Sequence, residues 1–358
     1  MPITIPSLRG EQGLLAKLKL VVKKRYWLIL FVAILAAASV GLAGAKSAPV
    51  PAQTQATPTP DGIVTQPRPR VVMIVHGNLS TSSFWPKVQR GAEQGAKDYD
   101  IDLELHGLTK SADAAEMSEL IEQAVMSNPD GMVISLPDAK ALSPAIEKIV
   151  QAGIPFIVIN SGRQEAEEVG ALTYIGQLEY EAGHQAGMRL AAEGVRYAYC
   201  INHQPQNVAV MDRCRGFIDA ITLAGGKAET LVVDLDDIEN TKARITDVLK
   251  LYPDVDGLLS TKEIPAILEA VEALGMQDRV KIGEFDFSPD LLEAILDGKV
   301  SFAIDQQPYL QGYLPMTFLN LQFTNANMVS QNEIATGPSF ITKENAELIR
   351  NLSEAGTR

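Results

Sequence analysis

Cysteine is nearly absent from this 358-residue chain, which has only Cys200 and Cys214. No C-x-x-C pair and no Cys/His cluster exists, so a structural zinc site of ordinary spacing is excluded. G-x-S-x-G, H-E-x-x-H, G-x-G-x-x-G and P-loop patterns are missing too. The common hydrolase, metalloprotease, dinucleotide and nucleotide signatures are therefore lacking. Basic residues are scarce: 31 Lys and Arg face 44 Asp and Glu, for a net charge of −13. Seven of the basic residues (Arg9, Lys17, Lys19, Lys23, Lys24, Arg25, Lys46) and one acid, Glu11, lie in the first 46 positions, so the remainder is more acidic still. Such a body repels phosphate backbones and argues against nucleic acid as a partner. What is present is ordinary globular material, 46% hydrophobic and 21% charged, enough for two domains and a large core.

One long apolar run stands out. Residues 27–45, WLILFVAILAAASVGLAGA, carry no charge and follow KKRY. Two readings are open: a secretory signal cut near Ala43-Gly44-Ala45, or an uncleaved membrane anchor. Both leave Lys23, Lys24 and Arg25 inside and export the C-terminal body. No Cys lies near residue 45, which excludes a thioether lipid anchor. Residues 46–69 are rich in Pro, Gln, Thr and Ala and read as an extended linker.

From Arg70 short apolar strands alternate with helical segments. VVMIV (71–75), IDLELHG (101–107), GMVISLP (131–137) and IPFIVINS (154–161) are the first four strands. RYAYCIN (196–202), ETLVVDL (229–235), GLLST (257–261), VKIGEFD (280–286) and VSFAIDQ (300–306) restart the alternation. Continuous apolar strands with crossover helices predict parallel sheets covered on both faces, an α/β fold of two similar lobes. In such sheets ligands meet the carboxyl ends of the strands.

The strand ends carry the candidates. After the first strand come His76, then Ser80–Ser83 and the pair Phe84-Trp85. That pair suits the apolar face of a sugar ring, or simply packs the lobe. Asp138 is a candidate helix cap. Asn160, Ser161 and Arg163 end the fourth strand. In the second lobe His203 to Asn207, Arg213, Glu284 to Asp286 and Asp305 to Gln307 sit in matching places. Arg213 can offer a fork of hydrogen bonds to neighbouring hydroxyls, or be a surface helix charge; Asp286 can accept hydroxyl protons, or cap a turn.

The stretches HGNLSTSSFWPKVQRGA, DGMVISLPDAKALSPAIEKIVQAGIPFIVINSG, YIGQLEYEAGHQAG, CINHQPQNVAVMDRCRGF and FDFSPDLLEAILDGKVSFAIDQQPYLQGYLP cover most of the body. In them the chain resembles the type 1 periplasmic sugar-binding proteins of ABC importers, the ribose-binding-protein-like group. The resemblance implies two Rossmann-like lobes joined by a three-strand hinge. An N-terminal lobe would comprise 70–176 plus about 307–335, a C-terminal lobe 177–306 plus about 336–350. The hinge crossings are expected near Gly176–Leu178, Asp305–Gln307 and Ala335–Pro338. By the same resemblance Phe84 and Trp85 clamp a sugar ring, and Ser82, Asn160, Ser161, Arg213, Lys262, Asp286 and the hinge residue Gln306 complete the ligand set. Ser82 stands where the ribose pattern has Asn. Asn160 and Ser161 stand where that pattern has Asp-Arg, and Thr261, Lys262 and Glu263 occupy a further position where it has Asn; these departures disfavour ribose itself. Both cysteine positions recur in a simple-sugar branch of the group; Cys200 and Cys214 can pair in an oxidising compartment or remain two buried thiols.

The implied function is capture of a monosaccharide or polyol in the cleft between the lobes by a monomeric, extracytoplasmic protein. It would deliver the ligand, chemically unaltered, to an ABC permease and its ATPase. No cofactor, metal or catalysis is expected. A membrane-tethered sugar sensor is the alternative. LacI-like repressors share the core, but they carry a DNA-binding helix-turn-helix where this chain has its apolar segment. With Arg213 as a cleft donor, Arg213→Ala is expected to weaken binding without unfolding the protein.

Overall fold

A computed structural model of the chain describes residues 67–80, 83–234, 237–262, 265–327, 332–354 and 358. The apolar 27–45 segment, most of the 46–69 linker, Ser82 and Glu263 lie outside them. The first lobe is built on β1 (Arg70–Val75), β2 (Asp102–Gly107), β3 (Gly131–Ser135), β4 (Phe156–Ile159) and β5 (Tyr174–Gln177). Their helices are α1 (Trp85–Asp98), α2 (Ala114–Met126), α3 (Ala139–Gln151) and the short α4 (Glu165–Glu168). The second lobe holds β6 (Tyr197–Asn202), β7 (Lys227–Val232), β8 (Gly257–Ser260), β9 (Lys281–Phe285) and β10 (Phe302–Asp305). With them go α5 (Glu179–Ala192), α6 (Val208–Leu223), α7 (Ile238–Leu251), α8 (Pro265–Ala273) and α9 (Pro289–Leu296). The chain then returns as α10 (Pro308–Asn325) and β11 (Glu333–Gly337), and ends with β12 (Ser339–Ile341) and α11 (Ala346–Glu354).

Two six-stranded sheets result, in the orders β11-β5-β4-β3-β1-β2 and β12-β10-β9-β8-β6-β7. The orders are equivalent strand for strand. Every pairing is parallel except β10 with β12. The unbroken apolar runs follow from this. Val72 and Ile74 on one face of β1 pack with Met117, Ile121 and Ile146. Val71, Met73 and Val75 on the other face pack with Val88, Ala92, Met316 and Leu319. A strand covered on both sides has no position left for polar residues.

The chain changes lobes after β5, after β10 and between β11 and β12. Each lobe therefore receives a helix from a crossing: α5 enters the second lobe, and α10 enters the first. In both lobes that helix lies against the helix following the lobe's first strand, β1 or β6. The contact is backbone to backbone. A Cβ on Gly183 of α5 would sit 1.9 Å from the Arg213 carbonyl oxygen, and one on Gly216 of α6 would sit 2.0 Å from that of Tyr180. Gly91 of α1 and Gly312 of α10 make the equivalent contact in the first lobe.

Several elements depart from the sequence expectation. β7 runs 227–232 rather than 229–235; it is an edge strand, and its half-exposed residues hide the pattern. The residue pattern alone marks no element at the four-residue β5, at α10, β11 or β12, although β5 and β11 fall at the expected hinge crossings. Helix α10 carries Pro315 inside it, and its apolar residues show no clean helical stripe.

Cys200 of β6 and Cys214 of α6 are disulfide-bonded, Cα to Cα 5.5 Å. The bridge ties β6 to the helix bearing Arg213. Alkylation of the denatured, unreduced protein is expected to label no thiol; two labelled cysteines would contradict the bond.

Candidate functional site

The carboxyl ends of both sheets face one cavity of about 1210 Å³, lined from both lobes. On the first-lobe side Phe84 precedes α1 and Trp85 opens it, with Pro86 suited to the first turn. Their rings meet edge to face at 5.0 Å, and His76 meets Trp85 the same way at 5.0 Å. Phe84 and Trp85 belong to the lobe's buried core and also line the cavity. Packing and presentation of an apolar wall are thus one arrangement.

Two residues with left-handed backbones end equivalent strands. Asn160 follows β4 with φ 64°, and Asp286 follows β9 with φ 65°. Asn and Asp tolerate this region better than other non-glycine residues. Both reach the hinge residue Gln306. Asn160 Nδ2 donates to Gln306 Oε1 at 3.3 Å and to Gln311 Oε1 at 3.1 Å. Gln306 Nε2 donates to Asp286 Oδ1 at 2.6 Å. A hydrogen-bonded line therefore runs from the first lobe through a hinge strand to the second.

Arg213 projects from α6 under the cavity floor. Its Nε and Nη2 donate to the Glu179 carboxylate at 2.7 and 2.9 Å, and Nη1 donates to the Thr261 carbonyl at 2.7 Å. The guanidinium lies 4.4 Å from the Phe285 ring centre. Arg213 and Glu179 are 4% and 3% exposed, so this is a buried ion pair and not a surface helix charge. Burial pushes the Glu179 carboxyl up, against the pull of Arg213. Burial also opposes the charge on Arg213, but Glu179 outweighs it and the guanidinium is held protonated.

Asn207 joins the lobes. It caps α6, its Oδ1 accepting from Ala209 N at 3.0 Å and from the Ser161 hydroxyl across the cleft, also at 3.0 Å. Its Nδ2 is then the donor toward His76 Nε2, 3.3 Å away. That assigns the His76 proton to Nδ1, which bonds Ser135 Oγ at 2.8 Å. His203 is fixed in the same way: Thr261 Oγ1 donates to Ile201 O, so His203 Nδ1 donates to Thr261 Oγ1 at 2.9 Å. Val208 N to Pro137 O (3.2 Å) and Lys87 Nζ to Phe287 O (3.2 Å) also bridge the lobes.

Burial, and then the charge on Arg213, lower the His76 pKa to about 3. His203 lies well below its ordinary value, through burial and the charges on Lys262 and Arg213. Both rings enter the site neutral. Because the folded value for His76 lies below the unfolded 6.5, the unfolded chain takes the proton first. The stability is complete above pH 6.5 and is lost on acidification. His76 should account for about 2 kcal/mol of loss between pH 7.5 and pH 5. Buried Glu179 and Asp305, whose carboxyls are raised, act in the opposite sense but are common to wild type and variant. Urea unfolding of wild type and His76→Gln at the two pH values should show the difference; parallel pH dependences would refute it.

The cavity thus collects Phe84, Trp85, Asn160, Ser161, Arg213, Lys262, Asp286 and Gln306; Ser82 lies outside the described residues. Asp138, read as a helix cap, accepts from Ala141 N at the start of α3. Glu179 and Gln311 were missed. Neither ends a lobe strand as read from the sequence; each sits in the first turn of a helix entering from a crossing. An acid beginning a helix directly after YIGQ was the available signal for Glu179.

Two α/β lobes with a shared, polar, aromatic-walled cleft and three crossings define a two-lobed solute-binding protein. The chain belongs to the periplasmic binding protein domain family, whose pattern matches residues 71–325. It is 25% identical over 301 residues to the xylose/arabinose-binding protein XylF of Sulfolobus acidocaldarius, covering 78% of this chain and 72% of that one. It is 26% identical over 253 residues to a D-ribose/D-allose-binding protein of Pseudomonas aeruginosa, covering 68% and 78%. Among solved structures, a carbohydrate transporter protein from Acidothermus cellulolyticus in complex with myo-inositol is 32% identical, with a TM-score of 0.75 over 82% of this chain and 100% of that one.

Proposed function

We infer that the protein captures a neutral monosaccharide or cyclitol between its lobes and presents the closed form to an ABC permease. The observation that carries this reading is the convergence on one cavity of an aromatic wall, Phe84 and Trp85, with polar groups from both lobes and the hinge. A ligand shifts a closure equilibrium only if it contacts both halves. Here Asn160 faces it from one side, Arg213 and Asp286 from the other, and Gln306 from between. Ser161 and Lys262 complete the wall, and Ser82 is assigned to the same set on sequence grounds. The relatives are named for pentoses and hexoses, and the solved relative holds a cyclitol, which supports this range for the chain. Their names denote binding rather than turnover. We place the body on the extracytoplasmic side, as a monomer, reached through the 27–45 segment.

Thermal unfolding with myo-inositol, D-xylose, L-arabinose, D-ribose and D-allose tests the reading. At least one should raise Tm in a concentration-dependent way, since a ligand bound only by the folded state stabilises by mass action. No shift with any of them, confirmed by calorimetry, would reject it.

A further inference from the structure

Arg213 is the strongest hydrogen-bond donor in the cleft, yet its charge is already answered from behind. Glu179 takes Nε and Nη2 side-on, and the Thr261 carbonyl takes Nη1. Of the five N–H groups on a guanidinium, one on Nη1 and one on Nη2 are left for a guest. Gln177, in the β5 crossing, donates to Glu179 Oε2 at 2.7 Å and holds the carboxylate in that pose. Asp286 adds a second carboxylate whose field reaches Arg213. His76 and His203 contribute no positive charge, and Lys110 and Lys262 are the other cations among the described residues that line the cavity.

We propose that Glu179 is the residue that sets the ligand's charge class: by holding Arg213 as a neutral pair, it leaves a fork that accepts uncharged hydroxyls and turns away carboxylates and phosphates. The inference rests on the sugar-binding reading and adds a residue to it. An arginine facing a cavity ordinarily favours a bidentate anion. Here the anion's place on the guanidinium is filled by the protein. A carboxylated guest would meet two resident carboxylates around one guanidinium, and like-charge juxtaposition is a strong source of discrimination. Glu179 does not itself line the cavity, so it acts through Arg213 as a positioning residue.

Calorimetric titration with myo-inositol, D-glucose and D-galactose, and with D-glucuronate and D-galacturonate, tests this. Wild type should bind a neutral member and take up neither uronate with comparable affinity. Glu179→Gln keeps the side chain's shape, removes its charge and frees Arg213. In this variant the affinity for a uronate, relative to the neutral ligand, should rise by at least about tenfold. Glu179→Asp keeps the charge and should lower affinity while retaining the neutral preference. An unchanged uronate-to-neutral ratio in Glu179→Gln overturns the proposal and leaves sugar binding standing. So does a gain of uronate binding in Glu179→Asp, or a wild type that prefers a uronate. If Glu179→Gln does not fold, the wild-type and Glu179→Asp titrations still decide. A wild type that binds none of the five, nor the pentoses and allose named above, removes the sugar-binding reading and the inference with it.

Discussion

Arg213→Ala is expected to destabilise the ligand-free protein by about 3–5 kcal/mol, in addition to weakening binding. Removing one member of a buried ion pair strands the other charge away from water. Glu179, 3% exposed, keeps only Gln177 among the donors that now satisfy it. The buried pair thus adds a loss of stability to the lost affinity expected from the sequence. Arg213 is both a cleft donor and half of an internal pair. The affinity loss is about 1.5–3 kcal/mol, or roughly ten- to a hundredfold, as for one charge-assisted bond. The two effects separate experimentally. Urea unfolding without ligand reads the first, and the double variant Arg213→Met/Glu179→Leu should recover much of the stability, because an apolar pair of similar volume can replace buried charges. Binding should not recover. A single variant as stable as wild type would show that the pair contributes nothing to the fold.

Gly183→Ala should cost about 3 kcal/mol, the upper part of the range for overpacked interiors. Its new methyl would stand 1.9 Å from the carbonyl oxygen of Arg213, and backbone cannot rotate aside as a side chain can. Helices α5 and α6 must separate, and α6 carries Arg213 with it. Stability and affinity should fall together, with Tm lowered by roughly 5 °C. Unchanged Tm and unchanged affinity would mean that the helices approach less closely than described.

Much of this arrangement was readable from the chain. The parallel sheets followed from runs such as VVMIV and FIVI, because a strand with no polar alternation has two covered faces. Asp138 was recognisable as a cap from its place before a helical segment. The strand ends pointed to Asn160 and Asp286. What stayed hidden depends on the third dimension. YIGQ is too short and too mixed to declare itself a strand, and it becomes one by pairing with β4 and β11. The partnership of Glu179 with Arg213 spans 34 positions, and no periodicity brings a helix start and the second turn of another helix together. Asn207 was a strand-end candidate, but that its side-chain oxygen receives both its own helix and Ser161 across the cleft is visible only in the fold.

The interlaced path has a consequence for biosynthesis. The first half of the molecule cannot seal its interior until residues 308–337 have been made, because α10 and β11 belong to its layers. A nascent polypeptide released before that point would show the Gly91 face of α1 and the bare edge of β5 to its surroundings. Early compaction is thereby postponed to the last tenth or so of translation. Products truncated ahead of Pro308 should aggregate instead of yielding an autonomous half.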